Sequence, residues 1–237
     1  KTAYEISLGL VGSEMCIRDS YISKMGCSQG GKHACFRALR AFYRWLEDNE
    51  YIDKAPTTKM VAPKVPRPVR PTVPIDAIPT LLKKCATPLD RMLVTLLADT
   101  GLRRKEVASI KPEDINHESR TIIVWGKGSR QRLVTYGKIT AEYLRVYLSS
   151  IDVTEGVEII PNIWAITNSL SRLEKATDIK CNAHTFRRTF ATESVRNGMN
   201  LFHVQSLLGH NSLTMTRIYA EQVDSEDAVK AYKPIVR

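Results

Sequence analysis

Six side chains between positions 103 and 219 have types and spacings suited to chemistry on an anion: Arg103, Lys127, His184, Arg187, His210 and Tyr219. His184 and Arg187 stand three residues apart in a stretch with helical patterning, so both can face the same way. His210 follows Gly209 at a predicted helix end, and Tyr219 comes nine residues later on a short helix after a break. Lys127 sits between two glycines on a predicted turn, and Arg103 follows Thr-Gly-Leu at a helix start. Guanidinium forks bind phosphate oxygens through directional, charge-assisted hydrogen bonds. Imidazoles move protons near neutral pH, and an ammonium can protonate a leaving group. A phenol, with an ordinary pKa of about 10, becomes a competent nucleophile when cations and a base surround it. Each residue also has a plain structural use. A tyrosine on a terminal helix packs, a turn lysine is solvated, and a histidine at a helix C-terminus serves as a cap favoured by the local dipole.

The elements that must position these groups are mostly helical. From Gly30 to about Asn49, Phe36, Leu39, Phe42, Tyr43 and Leu46 recur at three- and four-residue spacing as one apolar stripe. Arg37, Arg40 and Arg44 follow the same period on another face and could track a phosphate backbone or simply be solvated. Leu89, Met92, Leu93, Leu96 and Leu97 form a second stripe that stops at Gly101, and a short helix begins near Arg104. The β-rich runs Thr121–Trp125 and Arg132–Tyr136 flank Gly-Lys-Gly-Ser and read as a hairpin with Lys127 at its turn. Further helices are predicted at about 139–149, 168–176, 185–197, 201–208, 212–220 and 223–231, with Gly198 and Gly209 closing two of them. The fold class is therefore mainly α with a small β-hairpin, an α+β arrangement.

The net charge of +10 suits a polyanionic partner or a solubilising surface. Residues 21–70 carry more than half of it, with ten Lys/Arg against four Asp/Glu. Residues 55–79 hold seven of the eleven prolines and read as a semi-rigid linker rather than packed structure. The linker's Lys59, Lys64, Arg67 and Arg70 make it a basic strap. Residues 1–20 are patterned unlike the rest, and the run SLGLVGSEMCIRD resembles translated sequencing-adapter sequence, so they are set aside as non-native. The expected organisation is 1–20 non-native, 21–54 a partial helical domain, 55–79 linker, and 80–237 the main domain with a C-terminal tail helix. Cys16, Cys27, Cys35, Cys85 and Cys181 are scattered and odd in number, which fits reduced thiols rather than disulfides or a zinc site. No apolar run approaches the roughly 18 residues of a membrane span, and the N-terminus lacks the order of a signal peptide. The expected setting is cytoplasmic, with no membrane contact.

From about residue 75 to 225 the chain resembles the tyrosine recombinase (phage-integrase-like) family. The resemblance rests on TGLRRKEVASI (Thr100–Ile110), GKGSRQRLV (Gly126–Val134), HTFRRTFAT (His184–Thr192) and LLGHNSLTMTRIY (Leu207–Tyr219), in the family's order and at family-like separations. It implies that Arg103 and Arg187 clamp the scissile phosphate, Lys127 is the hairpin lysine, His184 and His210 are the active-site histidines, and Tyr219 is the nucleophile. Glu106 would help build the site, whereas Arg188, often histidine in the family, is a mild variation. The implied activity is site-specific recombination or integration of DNA through a 3′-phosphotyrosyl intermediate, with double-stranded DNA as partner. Keeping the phosphoryl group on tyrosine conserves the bond energy, so no cofactor, metal or ATP is expected, in keeping with the absence of a P-loop pattern.

The resemblance also implies a nucleoid-associated protein whose tail, amphipathic through Val223, Ala228, Val229 and Tyr232, docks onto a neighbour to build a homo-tetramer on two DNA sites. Members of the family usually carry a full N-terminal helical domain. Only Tyr21 to about Asp53 matches the last helix or two of it, so this part is expected to be N-terminally truncated, which puts sequence-specific binding in doubt. The alternatives are a type IB topoisomerase, which nicks and reseals one strand, and a DNA-binding relative that has lost activity. If Arg37 meets a phosphate, Arg37→Ala weakens DNA binding and flattens the log–log salt dependence by about one unit of slope, measured by titration at several salt concentrations. An unchanged slope would remove Arg37 from the interface.

Overall fold

The computed structural model describes residues 22, 24–66, 71–126, 131–210, 212–214, 216–221 and 223. Lys127, Arg67, Arg70, residues 1–20 and the tail beyond Val223 lie outside the described residues. The chain divides into two compact units, Lys1–Pro68 and Val69–Arg237.

In the first unit, helix α1 (Gln29–Asp48) starts where the Ser28 hydroxyl accepts a hydrogen bond from the Gly31 amide at 3.2 Å. Phe36, Tyr43 and Leu46 are buried, and Tyr43 and Leu46 pack with Ala55, Leu39 and Ile52. Phe42, counted in the predicted apolar stripe, is 47% exposed and meets Tyr43 edge-on at 5.7 Å. It lies at the flank of the arc that Phe36, Leu39, Tyr43 and Leu46 define, so the helical period itself turns it outward. Arg37, Arg40 and Arg44 are exposed, as is Lys64.

The second unit is built on α3 (Pro88–Thr100), preceded by α2 (Ile78–Lys84). Met92 through Leu97 are all buried, because neighbours surround α3 on every side. Its N-terminus is fixed by a reciprocal cap: Asp90 N donates to Thr87 Oγ1 at 3.2 Å, and Thr87 N donates to Asp90 Oδ2 at 3.0 Å. The fully buried Asp90 carboxylate also accepts from Ser169 and from Arg172 Nη2, which ties α6 (Ile163–Thr177) to α3. The helix ends at Gly101, with φ +58° and its amide donating to the Leu97 carbonyl at 3.0 Å. The chain then passes through buried Leu102 into the short α4 (Arg104–Ala108).

Three antiparallel strands follow in the order β1 (Ile115–Asn116), β2 (Thr121–Trp125), β3 (Gln131–Thr135). Ile122 pairs with Val134 and Val124 with Arg132, so period-2 alternation sends Ile122, Val124 and Val134 to the core. Asp99 from α3 accepts from Gly137 N at 2.8 Å and from Thr140 Oγ1 at 2.5 Å, which starts α5 (Lys138–Leu148). Helices α7 (Ala183–Arg196) and α8 (Leu201–Leu208) complete the unit, and residues 213–214 and 216–221 are helical. Among the described residues, no helix is long and apolar enough to cross a membrane.

The mainly α fold with a small sheet is as expected, with three differences of detail. Strand β1 is too short for a period signal and forms only because it pairs with β2. Helix α6 begins at Ile163 rather than 168, because the Asn162 side chain accepts from Ala165 N at 2.9 Å and caps it there. The proline-rich stretch, expected to be unpacked, is packed from Val73 onward. Val73 is 1% exposed, and its amide and carbonyl both bond the Thr189 hydroxyl of α7 at 2.7 and 2.9 Å. That hydroxyl supplies the partners that the prolines' neighbours need.

A Cβ at Gly101 would lie 2.7 Å from Phe190 Cδ1, whereas one at Gly198, which also has positive φ, meets nothing within 4 Å. Both Ala substitutions cost the left-handed backbone term of about 1–2 kcal/mol. Gly101→Ala adds roughly 1–3 kcal/mol of overpacking, read as a lower urea midpoint than Gly198→Ala; equal midpoints would refute the packing argument.

Candidate phosphate-binding and nucleophile site

The buried carboxylate of Glu106 organises the site. It accepts from the Arg103 amide and Arg103 Nη1, both at 2.8 Å, and from Arg132 Nη1 and Nη2 at 3.0 and 2.8 Å. Arg103 is the N-cap of α4 and Glu106 lies in its first turn, so the local helix brings this pair together. Arg132 arrives from β3, on the same face as Val134. Its Nε donates to the Leu207 carbonyl at 2.7 Å.

The C-terminus of α8 gathers the remaining guanidinium. Arg187 is 5% exposed and donates to the carbonyls of Gly101 at 2.8 Å and Leu208 at 2.6 Å. Arg103 makes longer contacts, 3.4 Å each, to the carbonyls of Leu208 and Gly209. These carbonyls are the ones a helix end leaves without internal partners, and they carry the negative pole of its dipole. Arg187 is positioned from α7, where Asn182 Oδ1 accepts from the amides of His184 and Thr185 at 3.0 Å each and Phe186 is fully buried. Burial first, then Arg103, lowers the Arg187 pKa to about 10, so it is still a cation at neutral pH. Its bonds to carbonyls occupy only part of its donor fork, which leaves N–H groups for an anion.

His210 follows the left-handed Gly209 that ends α8, and it is buried. Its amide donates to the Gln205 carbonyl at 3.1 Å, its carbonyl accepts from Gln205 Nε2 at 3.0 Å, and its Nδ1 lies 2.9 Å from Thr216 Oγ1. Burial first, then Arg187, Arg103 and Arg132, lowers its pKa to about 4, with Glu106 acting in the opposite direction. At neutral pH this imidazole is uncharged. The Tyr219 ring stacks on that of His210 with centroids 6.3 Å apart and planes at 18°, and packs beside Ala191, Val204 and Leu208. His184 is exposed at the start of α7. Partial burial, then Arg188, Arg187, Arg103 and Arg104, hold its pKa below the usual histidine value.

Arg103, Glu106, Arg187, His210 and Tyr219 therefore meet around the end of α8, with His184 in the same electrostatic field. Arg188 is directed away and donates to the Pro71 carbonyl at 2.9 Å. Arg132 is the residue the sequence reading missed, although a cation sharing the inward face of a strand with Val134 was a usable signal. Among the described residues, no cluster of three or more His, Cys, Asp or Glu side chains is placed to hold a metal ion.

The fold is shared with solved recombinases. It matches the XerH site-specific recombinase in a post-cleavage complex with a palindromic difH substrate at a TM-score of 0.76 and 20% identity, over 94% of this chain and 72% of that one. The XerA recombinase structure matches at a TM-score of 0.58 and 21% identity, over 94% and 85%. In sequence, the chain is 28% identical over 225 residues to the tyrosine recombinase XerD of Staphylococcus saprophyticus, covering 87% of this chain and 76% of the relative. It is 32% identical over 202 residues to the tyrosine recombinase XerC of Oceanobacillus iheyensis, covering 76% and 66%. The profile of the Phage integrase family matches residues 73–226. The chain belongs to this family of tyrosine recombinases: it is an enzyme of site-specific recombination that breaks and rejoins DNA.

Removing Glu106 leaves Arg103 and Arg132 facing each other without a counter-charge, so Glu106→Ala costs about 3–5 kcal/mol in chemical denaturation. Burial works against ionisation of Glu106, but hydrogen bonds from Arg132 and Arg103 and the charge of Arg132 prevail and hold its carboxyl below the usual range. Its ionic contribution is therefore complete above the unfolded value of about 4.3 and is lost as pH falls through the lower folded value. The stability gap between wild type and Glu106→Gln narrows below about pH 4; a gap independent of pH would contradict the ionic role.

Proposed function

We propose that Tyr219 is the nucleophile and that Arg103 and Arg187 hold the scissile DNA phosphate. The Tyr219 oxygen attacks phosphorus, its proton passes to His184, the P–O5′ bond breaks, and Lys127 protonates the departing 5′ oxygen, which leaves as a hydroxyl. A 3′-phosphotyrosyl intermediate results, and the reverse sequence with a new 5′-hydroxyl rejoins the strand. The observation that carries this reading is the meeting of Arg103, Arg187 and His210 at the end of α8, with the Tyr219 ring stacked on His210. As negative charge builds on the phosphate oxygens, donors already fixed by Glu106 and helix carbonyls need no reorganisation. The relatives are recombinases and integrases, which favours recombination over the strand nicking of a type IB topoisomerase or an inactive DNA-binding role.

In the same reading, residues 80–237 form the catalytic domain and 21–54 belong to a helical DNA-binding domain. The exposed Arg37, Arg40, Arg44 and Lys64 follow the backbone of double-stranded DNA together with Arg67 and Arg70. Copies assemble as a tetramer on two sites through the tail beyond Val223, in the cytoplasm on nucleoid DNA.

The test is covalent trapping on nicked duplexes whose cleavage product diffuses away. Wild type gives an SDS-resistant protein–DNA band, whereas Tyr219→Phe binds DNA and gives none. Arg187→Ala lowers trapping by more than the roughly 10²–10³-fold of one oxyanion donor; a rate within tenfold of wild type would rule the assignment out. Because partial burial and four arginines lower the His184 pKa, the acid limb of the cleavage profile falls at a pH below the ordinary histidine value of 6.5. A limb at or above that value would remove His184 as the base.

A further inference from the structure

We propose that Thr216 is a positioning residue: its hydroxyl donates to Nδ1 of His210, holds the ring as the Nε2–H tautomer, and ties it to the turn that bears Tyr219. This rests on the reading of Tyr219 as nucleophile and gives His210 its part, that of a neutral hydrogen-bond donor to the bound phosphate.

The two atoms lie 2.9 Å apart, Thr216 is fully buried and His210 is 7% exposed. Either group could be the donor on distance alone, and the surroundings decide the direction. Among the described residues His210 Nδ1 is the hydroxyl's one hydrogen-bond partner, and no bond runs to the Ser212 carbonyl four residues back. If Thr216 only accepted, its O–H would be buried with no acceptor, the costly case. A hydroxyl that donates and leaves a lone pair unused is the cheaper arrangement. An uncharged imidazole that accepts at Nδ1 carries its proton on Nε2. The uncharged state follows from burial beside Arg187, Arg103 and Arg132.

The backbone of His210 is held at both its amide and its carbonyl by Gln205, so the ring's remaining freedom is rotation, which the Thr216 bond removes. Thr216 precedes Tyr219 by three residues in the helical segment 216–221, nearly one turn. The same bond therefore fixes the distance between the phosphate-facing ring and the nucleophile's helix, in line with the near-parallel His210 and Tyr219 rings.

The experiment needs no DNA for its first arm. In the full chain carrying 15N-labelled histidine, the His210 ring signals are assigned by their loss in His210→Gln. The wild type shows the Nε2–H tautomer at neutral pH. A proton found on Nδ1 overturns the proposal whatever the variants do. Thr216→Val keeps the shape and removes the hydroxyl, whereas Thr216→Ser keeps the hydroxyl. The expected result is a mixed or reversed tautomer in the Val variant and the wild-type tautomer in the Ser variant. In single-turnover cleavage at saturating DNA, Val lowers the rate about tenfold or more, the rate equivalent of one buried hydrogen bond. DNA affinity stays unchanged, and Ser restores most of the rate. A Ser variant as slow as Val, or a Val variant that keeps the Nε2–H tautomer, overturns the proposal. Absence of any adduct in wild type would instead count against Tyr219 as nucleophile and leave the tautomer result standing.

Discussion

Three guanidiniums brought to one place repel one another, and the rest of this site depends on how that repulsion is met. Arg103, Arg132 and Arg187 share two sinks of negative charge: the Glu106 carboxylate and the carbonyls of residues 207–209 at the end of α8. Coulomb energy between like charges a few ångströms apart amounts to several kcal/mol at the effective dielectric of a protein edge. One full negative charge and one helix pole are what make the cluster tolerable. The price is geometric rigidity, since α8 must stop at a residue able to adopt φ +62°. A Cβ at that residue, Gly209, would come within 3.0 Å of Arg132 Nη1.

That arrangement sets the protonation states around it. Burial first, and then the cations that suit a phosphate, disfavour protonation of the imidazoles: His210 is lowered to about 4 and His184 is held below its usual value. Positive charge at neutral pH is therefore supplied by arginines, while the histidines are left to donate or accept single hydrogen bonds. A site of this kind meets the developing charge of a phosphoryl transfer with groups whose orientation is already determined. Its rigidity comes from behind, through α3, whose residues Met92 to Leu97 are all buried and which is tied to α6 by Asp90 and to α5 by Asp99.

Much of this was legible in the residues. The stripe Leu89 to Leu97 and its stop at Gly101 define α3, the β-rich runs 121–125 and 132–136 mark β2 and β3 to within a residue, and Gly209 marks the end of α8. These signals are local: a period, a left-handed cap, a turn. Family-like motifs placed Arg103, Arg187, His210 and Tyr219 on the right kinds of element. Local signals missed whatever depends on a partner far along the chain. Strand β1 exists only through β2, Val73 is packed only because Thr189 bonds it, and Arg132 meets Glu106 across 26 positions.

The sequence by itself therefore determined the fold class, the set of chemically capable side chains and the family to which they belong, because helical periods, glycine caps and motif spacing are properties of neighbouring residues. Only the tertiary structure decided which of those side chains are charged and which way they face. Burial, and the distance between groups more than a hundred residues apart such as Arg103 and the Leu208 carbonyl, fix protonation and orientation, and neither quantity is defined until the chain has folded back on itself.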